Sequence, residues 1–442
     1  MSKNIKKSCF FYSTTNDNGE NVYRCLYNDS STIVSVDELD YKRVKNYKMN
    51  CYYQETNEDL FKFRDDLIKW NDEIKQNFFK NADNKLFKVD VFNYNTINDA
   101  VYNNIIINSD QKTINSIPDV NFREFAMFED CLSCGLMTIE SDIIDKPVDC
   151  HGYDFAKYYY EMMRKIRTPT SAPSYYVIDE IDFEHIDFGI YRCKVECTDK
   201  HFRNVFKFNT KHHYSHNTLK TLYKYKDLYN ITFKLLEPDE HYNYNMVWYE
   251  HSVELKVLFK PWFAMIDKLR KTCNSKNWLM KTYISTAWGI LCSYNKSYIN
   301  KDEACDYNFV NLSKLTTKKK YKFYATEYTN GQYTLINSNK AYKYGGLSRI
   351  KPFLTEFARG YIFNMISEHQ LQSHVLRIQT DGIVFNKAID FKSLSVKYYP
   401  IPEAKSTGII KFYNLNSYFH VCDVCGIEYK YDSKTAHKCL KC

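Results

Sequence analysis

The feature that most restricts the fold is a pair of short apolar runs joined by a tight turn, in the segment HVLRIQTDGIVFNKAID (374–390). Alternating apolar residues on both sides of an Asp-Gly step are typical of a β-hairpin. The segment therefore predicts two antiparallel strands with Asp381 at the tip. A turn alone accounts for this aspartate, so any chemical role for it has to come from the rest of the chain.

The composition is that of a large folded protein. The chain has 442 residues, of which 44% are hydrophobic and 26% are charged. This length predicts about two or three domains and a sizeable core. The formal net charge of +8 is compatible with a polyanionic partner, although the charge is spread along the chain.

The chain carries no signal for a membrane or for secretion. No apolar run reaches the length that spans a bilayer. The start, MSKNIKKSCFFYSTTNDNG, lacks the long apolar core of a signal peptide, so we expect an intracellular, reducing compartment, the cytoplasm or nucleus of a host or infected cell. The 15 cysteines are then expected to be free thiols or metal ligands.

The most specific single motif is the cysteine-bearing tail, CDVCGIEYKYDSKTAHKCLKC (422–442). Two C-x-x-C pairs at this spacing predict a tetrahedral Zn²⁺ site in a zinc ribbon over 415–442. The predicted ligands are Cys422, Cys425, Cys439 and Cys442, and His437 is the only competing ligand. Cys131 and Cys134 form another C-x-x-C without a matching pair, so we interpret them as structural thiols.

Hydrophobic periodicity predicts both helices and strands. Strand-like runs are CFFYS, LFKVDVFNY and FGIYRCKVEC. Helical stretches are LFKFRDDLIKWNDEIKQNFF, MVWYEHSVELKVLFKPWFAMIDKLRK, NWLMKTYISTAWGILCSY and SRIKPFLTEFARGYIFNMI, the last with Pro352 near its start, where proline is tolerated.

Two further stretches place polar residues where chemistry could use them. In YDFAKYYYEMM (153–163), Asp154 ends an apolar strand just before a helix, a position that a helix N-cap would also explain. In KTYISTAWGIL (281–291), Lys281, Ser285 and Trp288 are spaced to line one helical face. A solvated lysine on an amphipathic helix is the alternative there.

Taken in order, these stretches resemble the motifs of family B DNA polymerases. Asp154 and Tyr159 match D-x-x-S-L-Y-P, and Thr380 and Asp381 match Y-x-D-T-D-S, with Gln379 in place of the first Asp and Gly382 in place of Ser. The motif K-x-x-x-N-S-x-Y-G is met by Lys281, Ser285, Thr286, Trp288 and Gly289, and K-x-Y by Lys411 and Tyr413. CLSCG (131–135) loosely resembles the Y-x-G-G element of protein-primed phage and plasmid polymerases.

The resemblance implies an α+β fold. It covers about residues 129–414, which would form the palm, an antiparallel sheet with flanking helices, together with helical fingers. Residues 1–128 would form a mixed α/β domain without a recognisable exonuclease site, since the D-x-E formed by Asp182 and Glu184 follows the first palm motif. Residues 415–442 would form the zinc ribbon.

The resemblance also implies a function. A viral or plasmid DNA-directed DNA polymerase transfers deoxynucleotides to a primer 3′-hydroxyl by two-metal-ion phosphoryl transfer. Asp154 and Asp381 would hold two Mg²⁺ ions, with Mn²⁺ as an alternative. Lys281 would meet the triphosphate, Tyr159 would exclude a 2′-hydroxyl, and the primer–template would contact Lys411 and Tyr413. The remaining nucleotide-binding residues would be Ser285, Trp288 and Gly289.

The sequence is also compatible with other partners and with a second function. The implied partners besides primer–template DNA and dNTPs are a terminal protein, a processivity factor or another replication subunit, and no membrane. Gln379 and the short segment after Tyr413, which leaves little room for a thumb, favour the alternative of a non-catalytic replication factor that binds nucleic acid or proteins. The run KLTTKKKYKFY either tracks phosphates or is a solvated loop.

Overall fold

The computed structural model describes residues 8–15, 21–27, 32–37, 50–53, 59–79, 90–131, 134–300, 323–329, 332–337, 340–393, 398–414, 417–421 and 428–429. The four predicted zinc ligands and the lysines between 314 and 322 lie outside these residues. Within the described part of the chain, no helix combines the length and the apolar character needed to cross a membrane.

Helices and strands are mixed throughout the described residues. The helices are α1 Leu60–Phe79, α2 Ile97–Ile107, α3 Gln111–Ser116, α4 Phe122–Asp130, α5 Tyr158–Met163, α6 Phe202–Val205, α7 His216–Lys224, α8 Lys226–Tyr229, α9 Leu255–Leu258, α10 Lys260–Thr272, α11 Trp278–Ser285, α12 Ala287–Leu291 and α13 Ile350–Glu368. Short 3-10 turns occur at Val91–Asn93, Ser141–Ile143, Gly345–Arg349 and Gln372–His374.

The strands are mostly short. They are β1 Ser8–Thr15, β2 Asn21–Tyr27, β3 Val34–Asp37, β4 Asn50–Tyr53, β5 Met137–Ile139, β6 Pro147–Phe155, β7 Arg167–Pro169, β8 Ser174–Tyr176, β9 Gly189–Cys197, β10 His213–Ser215, β11 Ile231–Leu235, β12 Met246–Trp248, β13 Ser252–Glu254, β14 Lys296–Asn300, β15 Phe323–Thr329, β16 Gln332–Asn337, β17 Val375–Gln379, β18 Gly382–Phe385, β19 Pro402–Asn414, β20 Ser417–Val421 and β21 Glu428–Tyr429.

The chain forms two compact units. The first combines Met1–Ser116 with Leu255–Leu291, and the second combines Ile117–Glu254 with Cys292–Cys442. Lys281 therefore belongs to the first unit, while Asp154 and Asp381 belong to the second.

The first unit packs helices on a small mixed sheet of order β3-β2-β1-β4, in which β1 and β4 are parallel. In α1, buried residues recur at helical spacing, which is why this segment forms an amphipathic helix. Its Phe63 ring lies 6.1 Å from that of Phe10 on β1 and 6.0 Å from that of Trp278 on α11, measured between centroids. These contacts join α1, the sheet and α11 in one apolar core.

The second unit is organised around a seven-stranded sheet of order β21-β20-β19-β6-β18-β17-β5, all of whose pairs are antiparallel. Helix α13 packs against α5 and α7 and is buried over most of its length. A helix that is apolar on nearly all sides is expected in the centre of a large core. The smaller sheets are β10-β9-β12-β8 with β11 on β9, the pair β13-β7, and β14-β16-β15.

The α+β fold class is confirmed, together with several elements. Helix α1, strand β9, helix α13 and the hairpin β17–β18 form where the sequence predicts them. Two elements differ in type from the prediction. Residues 246–248 and 252–254 are strands and not the start of a helix, because both pair with other strands of the second unit. Short apolar runs do not distinguish the two structures by periodicity alone.

The second difference concerns Val91–Asn93, which form a 3-10 turn and not a strand. The Asp90 side chain accepts a hydrogen bond of 3.0 Å from the amide of Phe92, and Asn71 accepts one of 2.9 Å from the amide of Val91. These side chains take the amides that a strand would offer to a neighbour, so the local turn is favoured over sheet pairing.

Candidate active site

Asp154 lies near the end of β6, at the centre of the large sheet. The register places it between Gly382 of β18 and Glu403 of β19. Its neighbours Tyr153 and Phe155 are buried, while Asp154 is half-buried. The alternative that Asp154 caps α5 is wrong, because the N-cap residue of α5 is Lys157, in a left-handed conformation with φ 58° and without a side-chain cap.

Asp381 lies in the turn of the β17–β18 hairpin. Gln379 pairs with Gly382, so Thr380 and Asp381 form the turn itself. Thr380 has φ 61°, the left-handed region that β-branched residues rarely occupy. Such a conformation costs about 1–2 kcal/mol and persists only where the surroundings enforce it.

Hydrogen bonds hold this turn on both sides. The amide of Thr380 donates to the carbonyl of Leu136 at 2.7 Å, and the amide of Phe155 donates to the carbonyl of Asp381 at 3.0 Å. The tip of the hairpin is thereby fixed to the end of β6, and the two aspartates come together from positions far apart in the sequence.

The strand register and the backbone bond from Phe155 to Asp381 bring the two carboxylates to the same end of β6. Burial, followed by the negative charge of Asp154, raises the pKa of Asp381 from 3.8 to about 6. The Asp154 Oδ1 lies 3.9 Å from the position that a Cβ on Gly382 would take. Two like charges held together in a partly buried place are an unfavourable arrangement unless a cation compensates them.

The pair suits a hard divalent cation that takes further ligands from substrate and water. Among the described residues, His, Cys, Asp and Glu side chains nowhere form a group of three or more that could hold a metal ion by themselves. Mg²⁺ in phosphoryl-transfer sites typically uses one or two carboxylates and fills its shell with phosphate oxygens and water. The donor set formed by Asp154 and Asp381 fits that description.

Tyr159 is the accessible member of the three consecutive tyrosines that follow β6. Tyr158 and Tyr160 are buried, with 2% and 1% of their surface exposed, and the Tyr158 hydroxyl donates to the carbonyl of Ala358. Tyr159 is half-buried, and its pKa is raised to about 12, chiefly by burial, which the charge of Arg359 opposes and that of Asp381 reinforces. Tyr159 therefore lies within electrostatic reach of the carboxylate pair.

Arg359 is a residue near this site that the motifs did not single out. It lies on α13 with 7% of its surface exposed and donates a hydrogen bond of 2.6 Å to the carbonyl of Cys134. Its positive charge also acts on Tyr159. The available signal was an arginine within a mostly apolar helical stretch, since arginine is seldom buried without a specific partner.

Gln379 occupies the position where the family motif has its first aspartate. The Arg377 guanidinium donates a hydrogen bond to the Gln379 side-chain oxygen. Arg377 is itself buried, with 4% of its surface exposed. The glutamine oxygen thus has a partner along its own strand, which the motif comparison did not reveal.

The remaining predicted residues are divided between the units. Lys411 and Tyr413 lie on β19 in the second unit, with the Lys411 ammonium 4.9 Å from the Tyr413 ring centroid. Lys281 and Ser285 are exposed on α11, and Trp288 and Gly289 lie on α12 in the first unit. The predicted single helix 277–294 is broken at Thr286, which ends α11.

The comparisons with known proteins identify the fold. No protein-family model and no curated protein sequence matches the chain. Among solved structures, Phi29 DNA polymerase complexed with primer–template DNA matches with a TM-score of 0.55 at 12% identity, covering 97% of this chain and 89% of that one. Phi29 DNA polymerase complexed with single-stranded DNA matches with a TM-score of 0.55 at 13% identity, covering 96% and 89%.

This chain has the fold of Phi29 DNA polymerase. A third structure, the Phi29 ternary complex with primer–template DNA and incoming nucleotide, matches with a TM-score of 0.51 at 13% identity, over 96% of this chain and 88% of that one. The polymerase fold implied by the sequence motifs is thereby confirmed. At this identity the likeness to Phi29 DNA polymerase establishes the fold and not the reaction.

Proposed function

We propose that this chain is a DNA-directed DNA polymerase that adds deoxynucleotides to a primer 3′-hydroxyl. The observation that carries the proposal is the carboxylate pair, Asp154 and Asp381, at the junction of β6 and the β17–β18 hairpin. The Phi29 structures with primer–template DNA and incoming nucleotides support the substrate class. The likeness extends over nearly the whole chain, so it is not confined to one common sheet motif.

In this mechanism Asp154 and Asp381 hold divalent cations, with Mg²⁺ expected and Mn²⁺ as an alternative. Bound Mg²⁺ ions would activate the primer hydroxyl and neutralise charge on the triphosphate. Asp381 has to be ionised to act as a ligand, and its pKa of about 6 means that it is ionised near neutral pH. The backbone ties at Thr380 and Asp381 keep its carboxylate beside Asp154.

The other residues bind and select the nucleotide. Tyr159 presents a flat, partly accessible ring near the carboxylates and would block a 2′-hydroxyl. Lys281 is exposed on α11 and would neutralise triphosphate charge. We assign primer–template contacts to Lys411 and Tyr413. Partner proteins such as a terminal protein or processivity factor, and Zn²⁺ in the tail, remain part of the proposal.

A second candidate is a polymerase-like replication factor that binds DNA without extending it. The observation in its favour is Gln379, whose side chain is paired with Arg377 where the family has a carboxylate. The retained Asp154 and Asp381 favour the enzyme, because they are the carboxylates that the family uses as direct ligands.

One assay separates the two candidates. The full chain is incubated with a labelled primer on a longer DNA template and all four dNTPs, with Mg²⁺ or with Mn²⁺, and binding to the same duplex is measured by gel shift. The polymerase extends the primer to the end of the template in at least one metal. Tight binding without any extension in either metal would favour the replication factor and contradict the enzyme.

A further inference from the structure

Gly135 lies directly against Thr380. A Cβ on residue 135 would be 2.8 Å from the Thr380 Oγ1, 2.9 Å from its Cγ2 and 3.0 Å from its Cα. Non-bonded carbon atoms are comfortable at about 3.5–4.0 Å. Both threonine branches come too close, so no rotation about a stiff β-branched χ1 makes room for a side chain at 135. Only glycine fits at this contact.

Thr380, which Gly135 contacts, has a strained backbone conformation. Thr380 holds φ 61°, which a residue without glycine's freedom adopts only under constraint. Three constraints act on the turn: the Gly135 backbone against the threonine side chain, the hydrogen bond from the Thr380 amide to Leu136, and the hydrogen bond from the Phe155 amide to the Asp381 carbonyl. Together they restrain the turn in the conformation that the structure shows.

We propose that Gly135 and Thr380 are positioning residues, whose contact holds the hairpin turn so that the Asp381 carboxylate lies beside Asp154 in a geometry ready for a divalent cation. The cation-binding part of this inference rests on the proposed function. Residues that orient a metal ligand without touching the metal typically change metal affinity when they are replaced. In this inference Gly135 acts through the position of the turn.

The test is a double-substitution cycle on the full chain. Gly135→Ala forces the segment away from Thr380, and Thr380→Gly removes both branches while allowing the positive φ. In the double variant the clashes with Oγ1 and Cγ2 are absent, and only the 3.0 Å approach to the Cα of residue 380 remains, so a small backbone shift lets the turn return most of the way to its place. Thr380→Gly alone is the matched control, because it alters the same contact without adding an atom.

Two readouts are measured on all four proteins. The first is the Kd of Mn²⁺ from electron paramagnetic resonance titration, with Asp381→Asn identifying the binding that depends on the pair. The second needs no metal and is hydrogen exchange at the amides of residue 380 and Phe155, which report the two hydrogen bonds of the turn.

We expect Gly135→Ala to weaken Mn²⁺ binding about 10–100-fold and to accelerate hydrogen exchange at both amides. The Mn²⁺ affinity of the double variant should recover to within about threefold of that of Thr380→Gly. The reason is that the two substitutions are coupled: removing the threonine branches relieves most of the clash that Gly135→Ala introduces.

Each outcome either supports or overturns the inference that Gly135 positions the turn. Wild-type Mn²⁺ affinity and exchange in Gly135→Ala would overturn the inference, as would a double variant no better than Gly135→Ala. If Asp381→Asn leaves Mn²⁺ binding unchanged, the proposed metal site fails, while the exchange rates still decide whether Gly135 positions the turn. If Gly135→Ala does not fold, circular dichroism of the double variant replaces it: regained folding supports the contact, and failure to regain it overturns the inference.

Discussion

The Phe155 amide donates a hydrogen bond of 3.0 Å to the Asp381 carbonyl, and this bond ties the hairpin tip to the strand that carries Asp154. The bond keeps two negative carboxylates near each other in a partly buried place. Without a cation the arrangement costs stability, which agrees with the proposed role of the two carboxylates in holding a cation.

The free energy of unfolding should depend on pH through the ionisation of Asp381. Because the pKa of Asp381 rises from 3.8 to about 6 on folding, the folded state keeps its proton to higher pH than the unfolded state. The free energy of unfolding therefore falls as pH rises through about 4 to 6. Asp381→Asn removes the penalty and should stabilise the metal-free protein at about pH 7.5 by about 1 kcal/mol, after allowance for solvent screening.

Thermal unfolding of wild type and variant at both ends of this pH range checks the prediction. Below about pH 4 the difference should vanish, since the carboxyl is then protonated in both states. Asp149→Asn is the matched control, because Asp149 is exposed on the same strand as Asp154. A stability difference that does not depend on pH would contradict the electrostatic explanation.

Tyr159 should select the sugar. Tyr159→Val removes the accessible ring and should increase ribonucleotide incorporation relative to deoxynucleotide incorporation, measured as the ratio of kcat/KM values. Tyr160→Phe is the control, because the Tyr160 ring is buried and therefore not available to a nucleotide, and its hydroxyl accepts a hydrogen bond of 2.9 Å from Arg164. An unchanged ratio in Tyr159→Val would show that another group excludes the 2′-hydroxyl.

The buried ion pair of Glu124 and Arg349 should be essential to the second unit. Both side chains are 0% exposed, and the Arg349 guanidinium donates to the two carboxylate oxygens at 2.7 and 2.8 Å. Arg349→Met leaves a buried carboxylate without its cation and should cost about 3–5 kcal/mol in urea unfolding.

The exposed pair of Lys194 and Glu196, 2.6 Å apart, provides the comparison. Lys194→Met should cost less than about 1 kcal/mol, because solvent screens surface pairs and their side chains lose freedom on pairing. Equal losses in the two variants would mean that burial does not set the energetics of these pairs.

Local features of the fold were predictable, and long-range ones were not. The hairpin 375–385 and helix α1 follow from the spacing of apolar residues within short stretches of the sequence. The pairing of β6 with β18 joins Asp154 to a strand more than 200 residues away, and only the family motifs indicated it. The contact of Gly135 with Thr380 and the bond from Arg377 to Gln379 depend on atomic packing, which sequence spacing does not encode.

The cysteine-bearing tail should bind one Zn²⁺ through Cys422, Cys425, Cys439 and Cys442. A closed site of four thiolates has no open position for chemistry, and in so small a module the metal supplies much of the folding free energy. Cys439→Ser should abolish stoichiometric zinc while extension of short primers survives. Elemental analysis that finds no zinc in reduced wild-type protein would refute the site, and loss of short-primer extension in the variant would refute the separation of roles.

The most direct test of the central claim is the rate of single-nucleotide addition by carboxylate variants. Asp154→Asn and Asp381→Asn should each reduce the rate at least about 100-fold, in line with the several kcal/mol that a metal clamp supplies. Their circular dichroism spectra should remain those of the wild type, and Asp149→Asn should retain its rate. If both variants add nucleotides at rates near the wild-type value, Asp154 and Asp381 do not form the catalytic site and the polymerase mechanism proposed for them is wrong.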